Sequence, residues 1–138
     1  MAKEDYARFP YKTTYLTSNA AFPVLTITAP PDELWYVTEV EVSQDTKPPN
    51  YFPIYRKCKI ETLTQKPFSF FLILPKAINN VYAYKDAKSF PVGSAIQIRN
   101  GESVRMTQIA GDAGSVDNIL TFMLFFHIKK INEKGGDY

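Results

Sequence analysis

The sequence is short of the residues that most protein chemistry uses. One cysteine, Cys58, stands among 138 residues, which excludes an intrachain disulfide and any metal site built from thiolates alone. It fits a reducing compartment and reads as a buried, inert thiol. The single histidine, His127, cannot supply a metal centre that recruits several imidazoles. No sustained apolar repeat at i, i+3, i+4, i+7 marks a helix, and prolines interrupt the chain from position 10 to position 91. No apolar run approaches the ~20 residues of a spanning helix, and MAKEDYARFPYKTTY holds no apolar core of signal-peptide length. Sixteen basic against 14 acidic side chains leave a formal charge of +2, too balanced for the concentrated basic surface of a specific nucleic-acid binder.

Catalytic signatures are absent in the same way. There is no G-x-S-x-G turn, no G-x-x-x-x-G-K-[ST] and no G-x-G-x-x-G after a strand. Asp112 and Asp117 in GDAGSVDN lack the spacing of a calcium loop. The carboxylates Asp32 and Glu33, or Glu39 and Glu41, could in principle flank a glycosidic bond, but turns and solvent faces are their ordinary places. An enzyme with such a pair ranks third among the readings, and no cofactor is expected.

What remains is β-material. The chain is 45% hydrophobic and 14% aromatic, enough for one core at this length. LWYVTEVEVS (34–43) alternates, with Val37, Glu39 and Glu41 set against Thr38, Val40 and Val42, so Glu39 and Glu41 should meet water. FPVLTIT (22–28), IYRKCKIETLT (54–64), FSFFLIL (68–74), VYAY (81–84), FPVGSAIQIRN (90–100), SVRMTQIA (103–110) and the run from 119 read as further strands. In 54–64, Ile54, Cys58 and Ile60 should share one face. Ile96 and Ile98 should point inward behind a turn at Gly93, and Asn100-Gly101 is a tight-turn pair. About eight short strands joined by Pro-rich connections predict an all-β, two-sheet antiparallel β-sandwich of jelly-roll type. An immunoglobulin-like sandwich is the alternative. The organisation is an N-terminal arm over 1–20, a single β-sandwich domain over 21–131, and a C-terminal tail over 132–138.

Residues 119–128, ILTFMLFFHI, set the main functional question. As a strand they send Leu120, Phe122, Leu124 and Phe126 to the core, and Thr121, Met123, Phe125 and His127 to the other side. A sandwich's outer face normally meets water, so Met123 and Phe125 would form an adhesive patch. Either a connection of the same chain lies over it, or another subunit does. A lipid-facing barrel is excluded, because barrel strands pair a lipid face with a polar face and neither face here is polar. Met123, Phe125 and His127 are therefore the candidate interface residues. A second set, Tyr51, Phe52 and Tyr55 beside Arg56, Lys57 and Lys59, with Tyr82 and Tyr84, consists of candidate stacking rings for a ligand or partner.

TAPPDELWYVTEVEVS (28–43), FPVGSAIQIRN (90–100) and the late apolar strand together resemble small β-sandwich and jelly-roll structural proteins of viruses and phages. In those, a proline-led turn opens a strand of alternating valines and a Pro-x-Gly turn opens a later one. The resemblance covers 22–131 and transfers no site residue. It implies a capsid, spike or fibre-type subunit that self-assembles into a homo-oligomer or joins other virion proteins, located in the virion or in host cytoplasm during assembly. The alternative is a ligand-binding sandwich module, with a glycan as ligand.

Overall fold

The computed structural model describes residues 5–47, 53–76, 83–91 and 93–131. A short 3-10 turn, Tyr6–Arg8, precedes nine strands: β1 Tyr11–Ser18, β2 Val24–Thr28, β3 Glu33–Thr46, β4 Arg56–Leu63, β5 Ser69–Leu74, β6 Lys85–Ser89, β7 Ile96–Arg99, β8 Ser103–Gly111 and β9 Asn118–Lys130. One sheet has the order β1-β9-β3-β6, with β7 also paired to β3, and the other has the order β2-β8-β4-β5. All named pairings are antiparallel.

The order is nested. The first strand pairs with the last, the second with the eighth, the third with the sixth and seventh, and the fourth with the fifth. That is the wrapping of a jelly roll. It is not the immunoglobulin alternative, in which the first two strands share a sheet; here β1 and β2 lie in different sheets.

Two departures from the expected strands have local causes. The ladder between β3 and β9 shifts between Val37 and Glu39, leaving Thr38 as a bulge. The extra residue resets the alternation, so Trp35 and Val37 point inward together with Val40 and Val42, whereas strict alternation would have put Val37 outside. Glu39 and Glu41 do take the outer side, half-buried. The same bulge divides the neighbouring edge: β7 pairs with Leu34–Val37 and β6 with Glu39–Ser43, and the Phe90 amide donates to the Thr38 carbonyl at the joint. Pro91, which has no N–H, and Gly93 at φ 85 carry the chain out of the ladder between them. The expected single strand over 90–100 is therefore only β7, and the strand sought in VYAY lies just beyond it, in β6. Tyr82 falls outside the described residues.

A strand also forms where the arm was expected. Residues 11–18 are β1, paired with β9 from Tyr11–His127 to Ser18–Leu120. YKTTYLTS has little to bury because an edge strand is covered on one side only, but its Thr and Tyr content suits a pleated surface.

Between the sheets, Trp35, Val37, Val40, Val42, Leu120, Phe122, Leu124 and Phe126 meet Ile27, Cys58, Ile60, Leu72, Leu74, Val104 and Met106 in one core. Trp35 and Phe126 stack with ring centroids 4.1 Å apart. The inward half of the oily run is thus ordinary core. The Asn100-Gly101 turn joins β7 to β8 with both residues at positive φ, 51 and 88, as an Asn-Gly hairpin requires.

Candidate assembly interface

The outer side of the five-stranded sheet is built around β9. Across the ladder, Met123 lies between Tyr15 of β1 and Glu41 of β3, and Phe125 lies between Thr13 and Glu39. Thr121 lies between Thr17 and Ser43. Met123 and Phe125 are half-buried by these neighbours. Tyr15 is 61% and Tyr11 55% exposed. The result is an aromatic and threonine-rich strip along β1 and β9, bordered on the β3 side by two carboxylates. The Ser89 hydroxyl donates to the Glu39 carboxylate at 3.0 Å.

The chain itself covers one end of that face. The 3-10 turn is closed by the Phe9 amide donating to the Tyr6 carbonyl and by the Asp5 carboxylate accepting from the Ala7 amide. It places Tyr6 against Tyr36 at 5.4 Å, stacked, and against His127 at 5.4 Å. Tyr11, opposite His127 in the ladder, brings its ring to 4.8 Å from the imidazole, and His127 Nδ1 hydrogen-bonds the Phe9 carbonyl at 2.9 Å. His127 is thus a satisfied sheet residue inside an aromatic box. Among the described residues the covering segment is the N-terminal one, 6–9, whose ring and hydrogen-bond contacts on this face are to Tyr36 and His127.

The proposed stacking rings are not assembled into one platform. Tyr51 and Phe52 lie outside the described residues. Tyr55, half-buried, leads into β4 in the four-stranded sheet, with its amide donating to Asp112 Oδ2 at 3.3 Å. Tyr84, 39% exposed, leads into β6 in the other sheet, its carbonyl accepting from the Gln44 amide.

Arg56, read from sequence as part of a basic cluster beside those rings, is instead the largest fully buried side chain. It shares the inner face of β4 with Cys58 and Ile60. Its guanidinium donates to Gln108 Oε1 at 2.7 Å, to Asn118 Oδ1 at 2.8 Å and to the Asn118 carbonyl at 3.1 Å. Asn118 in turn donates to Gln44 Oε1, and Gln44 donates to the Ile54 carbonyl. No carboxylate balances the charge among the described residues, and Nε has no partner. Burial lowers the Arg56 pKa. The inner-face phase set by Cys58 and Ile60 was the available signal, since Arg56 is two residues before Cys58.

Of the carboxylates considered for catalysis, Asp32, Glu33 and Glu39 have structural partners. Lys130 Nζ lies 2.6 Å from Glu33 Oε2 and 3.8 Å from Asp32 Oδ2, and Trp35 Nε1 donates to Glu33 Oε1 at 2.7 Å. Burial raises the Glu33 pKa, but the hydrogen bonds from Lys130 and Trp35 and the charges of Lys130 and Lys12 outweigh it, leaving it below the ordinary carboxylate value. Among the described residues no helix is long and apolar enough to cross a membrane.

No protein-family model matches the chain, and no curated protein matches it. Among solved structures, it is similar to the cryo-EM structure of the giant freshwater prawn Macrobrachium rosenbergii extra small virus virus-like particle, at 10% identity and a TM-score of 0.39, over 86% of this chain and 79% of that one.

Proposed function

We propose that this chain is a non-enzymatic structural subunit, a virion component of capsid, spike or fibre type, that acts by self-association. The observation that carries the reading is the strip of Tyr11, Tyr15, Met123 and Phe125 on the outer side of the five-stranded sheet, beside β1, whose far edge pairs with no strand among the described residues. Fully burying a side chain of this size contributes ~1.5–3 kcal/mol. Four half-exposed ones supply the centre of an interface, while a stable contact of ~800 Å² per partner must draw in the surrounding threonines as well.

Charge sets the geometry of such a contact. A second copy packed squarely on the sheet would bring Glu39 and Glu41 toward their own copies, which costs energy when the carboxylates lose water. The contact therefore favours the β1 side, with β1 and the outer residues of β9 at its centre.

The test is the absolute mass of the full chain by light scattering across concentration, with Phe125→Lys, Tyr15→Lys and Glu41→Gln beside it. The expected result is a defined oligomer that either lysine variant dissociates while β-type circular dichroism persists, and that Glu41→Gln leaves intact. A parent chain that stays monomeric at several hundred micromolar would refute the reading.

A further inference from the structure

At the end of the sandwich marked by the β4–β5 and β7–β8 turns, a cleft of about 740 Å³ opens between them, lined on one side by Thr62–Phe68 residues and on the other by residues from Ile96 to Glu102. None of its lining residues belongs to the strip along β1 and β9, so the variants that test this cleft differ from those that test the strip. We propose that this cleft binds a saccharide that carries an acidic group.

The apolar platform is Phe68. Its ring is 45% exposed yet held from behind, against Phe70 at 5.7 Å and edge-on to Phe90 at 6.2 Å. Its backbone is fixed too: the Phe68 amide donates to Thr62 Oγ1 at 2.8 Å, and the Thr62 amide donates to the Phe68 carbonyl at 2.9 Å. An exposed ring braced by two neighbouring rings presents its electron-rich face at reduced entropic cost. The C–H face of a pyranose fits such a surface.

Around the ring the cleft is polar. Thr64, Gln65, Gln97 and Asn100 are among the residues that line it, and these residue types carry both donors and acceptors, which suits a ligand dense in hydroxyls. Two exposed cations, Lys66 and Arg99, stand in the lining, and neither is ion-paired among the described residues. Arg99 makes one side-chain hydrogen bond, to Gln97 Oε1 at 3.3 Å. The one carboxylate present, Glu102, is occupied by the Arg99 backbone amide at 3.0 Å. Two unpaired cations over a hydroxyl-binding surface call for a single anionic substituent on the sugar. Two cations and one carboxylate in the lining are too few for a polyphosphate chain, which argues against a nucleic acid.

The acidic group could be a carboxylate or a sulfate, and the experiment separates them. Saturation-transfer NMR on the full chain would use 3′-sialyllactose, 3′-sulfolactose and neutral lactose, with Arg99→Gln, Lys66→Gln and Phe68→Ala as variants. The expected result is transfer to at least one acidic saccharide, at least tenfold weaker in Arg99→Gln or Lys66→Gln with the melting temperature unchanged, and lost in Phe68→Ala. Binding of 3′-sulfolactose alone, with the same sensitivity, assigns sulfate as the acidic group; binding of sialyllactose alone assigns carboxylate. Should Phe68→Ala fail to fold, the two cation variants still decide, because both side chains are exposed. Three outcomes overturn the proposal: no transfer from either acidic saccharide at millimolar concentration, lactose binding as tightly as they do, or full affinity retained in both cation variants.

Discussion

Arg56 and Cys58 are two residues apart on the inner face of β4, and burial acts on them in opposite ways. Arg56 keeps its charge among neutral amides, donating to Gln108 and to Asn118, which donates on to Gln44, so that β4 is tied to β8, β9 and β3. Truncation would leave Gln108 Oε1 and Asn118 Oδ1 without the donor they have now and open a cavity at the end of the core. Arg56→Ala is expected to cost about 3 kcal/mol, seen as a lower urea midpoint with an unchanged slope. Cys58 has no such relay. Burial, the largest effect on it, pushes its thiol up from 9.0 to about 11 despite the nearby Arg56 charge. A folded pKa raised above the unfolded one gives a contribution that is whole below the unfolded value and is lost as pH rises through the folded one. Stability should therefore decline as pH climbs from about 9 toward 11. A thiol reagent at pH 8 should label Cys58 only at the rate of unfolding, and rapid labelling of the native chain would contradict its place in the core.

At the scale of elements, turns and bulges set the strand boundaries more firmly than the strands' own composition does. The Asn100-Gly101 hairpin was legible because a two-residue turn with both residues at positive φ leaves few other choices. The division of the sixth strand from the seventh was not, because it depends on Thr38 bulging in a neighbouring strand. Two glycines separate backbone strain from close approach. Gly101, at φ 88, has nothing within 4 Å of an added Cβ, so Gly101→Ala should cost only the left-handed backbone penalty, about 1–2 kcal/mol. Gly111, at φ 108, has the Tyr55 carbonyl oxygen where a Cβ would stand, so Gly111→Ala adds a backbone displacement and should cost on the order of 3 kcal/mol or more. Thermal melts of the two variants side by side would show whether that order holds.

For the whole molecule, cross-strand ion pairs fasten the sheets at different places. Glu33 of β3 meets Lys130 at the end of β9 in the five-stranded sheet. In the other sheet, Glu61 of β4 receives Arg105 of β8 through Nε at 3.0 Å and through a terminal nitrogen at 2.8 Å. The hydrogen bond from Arg105 is the main reason the Glu61 carboxyl lies below its ordinary value. Both acids have depressed folded pKa values, so their contributions are present above the unfolded value of about 4.5 and are lost as pH falls through the folded ones. The melting temperature should drop as the solution is acidified below that value, and Glu61→Gln should flatten part of the drop. A melting temperature that does not change from pH 6 to pH 3 would mean that neither pair contributes to stability.

The sequence by itself determined the class of the fold and the inward face of its last strand. Period-two alternation around Val40, Val42, Ile60, Phe122 and Leu124 admits one assignment once a core is assumed, and a one-residue slip would expose all of it. It also singled out Met123 and Phe125, because eight large apolar residues in ILTFMLFFHI exceed what one buried face can take. Only the tertiary structure decided what lies beside them. That Tyr15 and Thr13 flank them from an N-terminal strand, that Tyr6 closes over His127, and that Phe68 shares a cleft with Arg99 are facts of pairing between distant segments. Such pairings follow from the nested order of the strands, and no local pattern of residues encodes them.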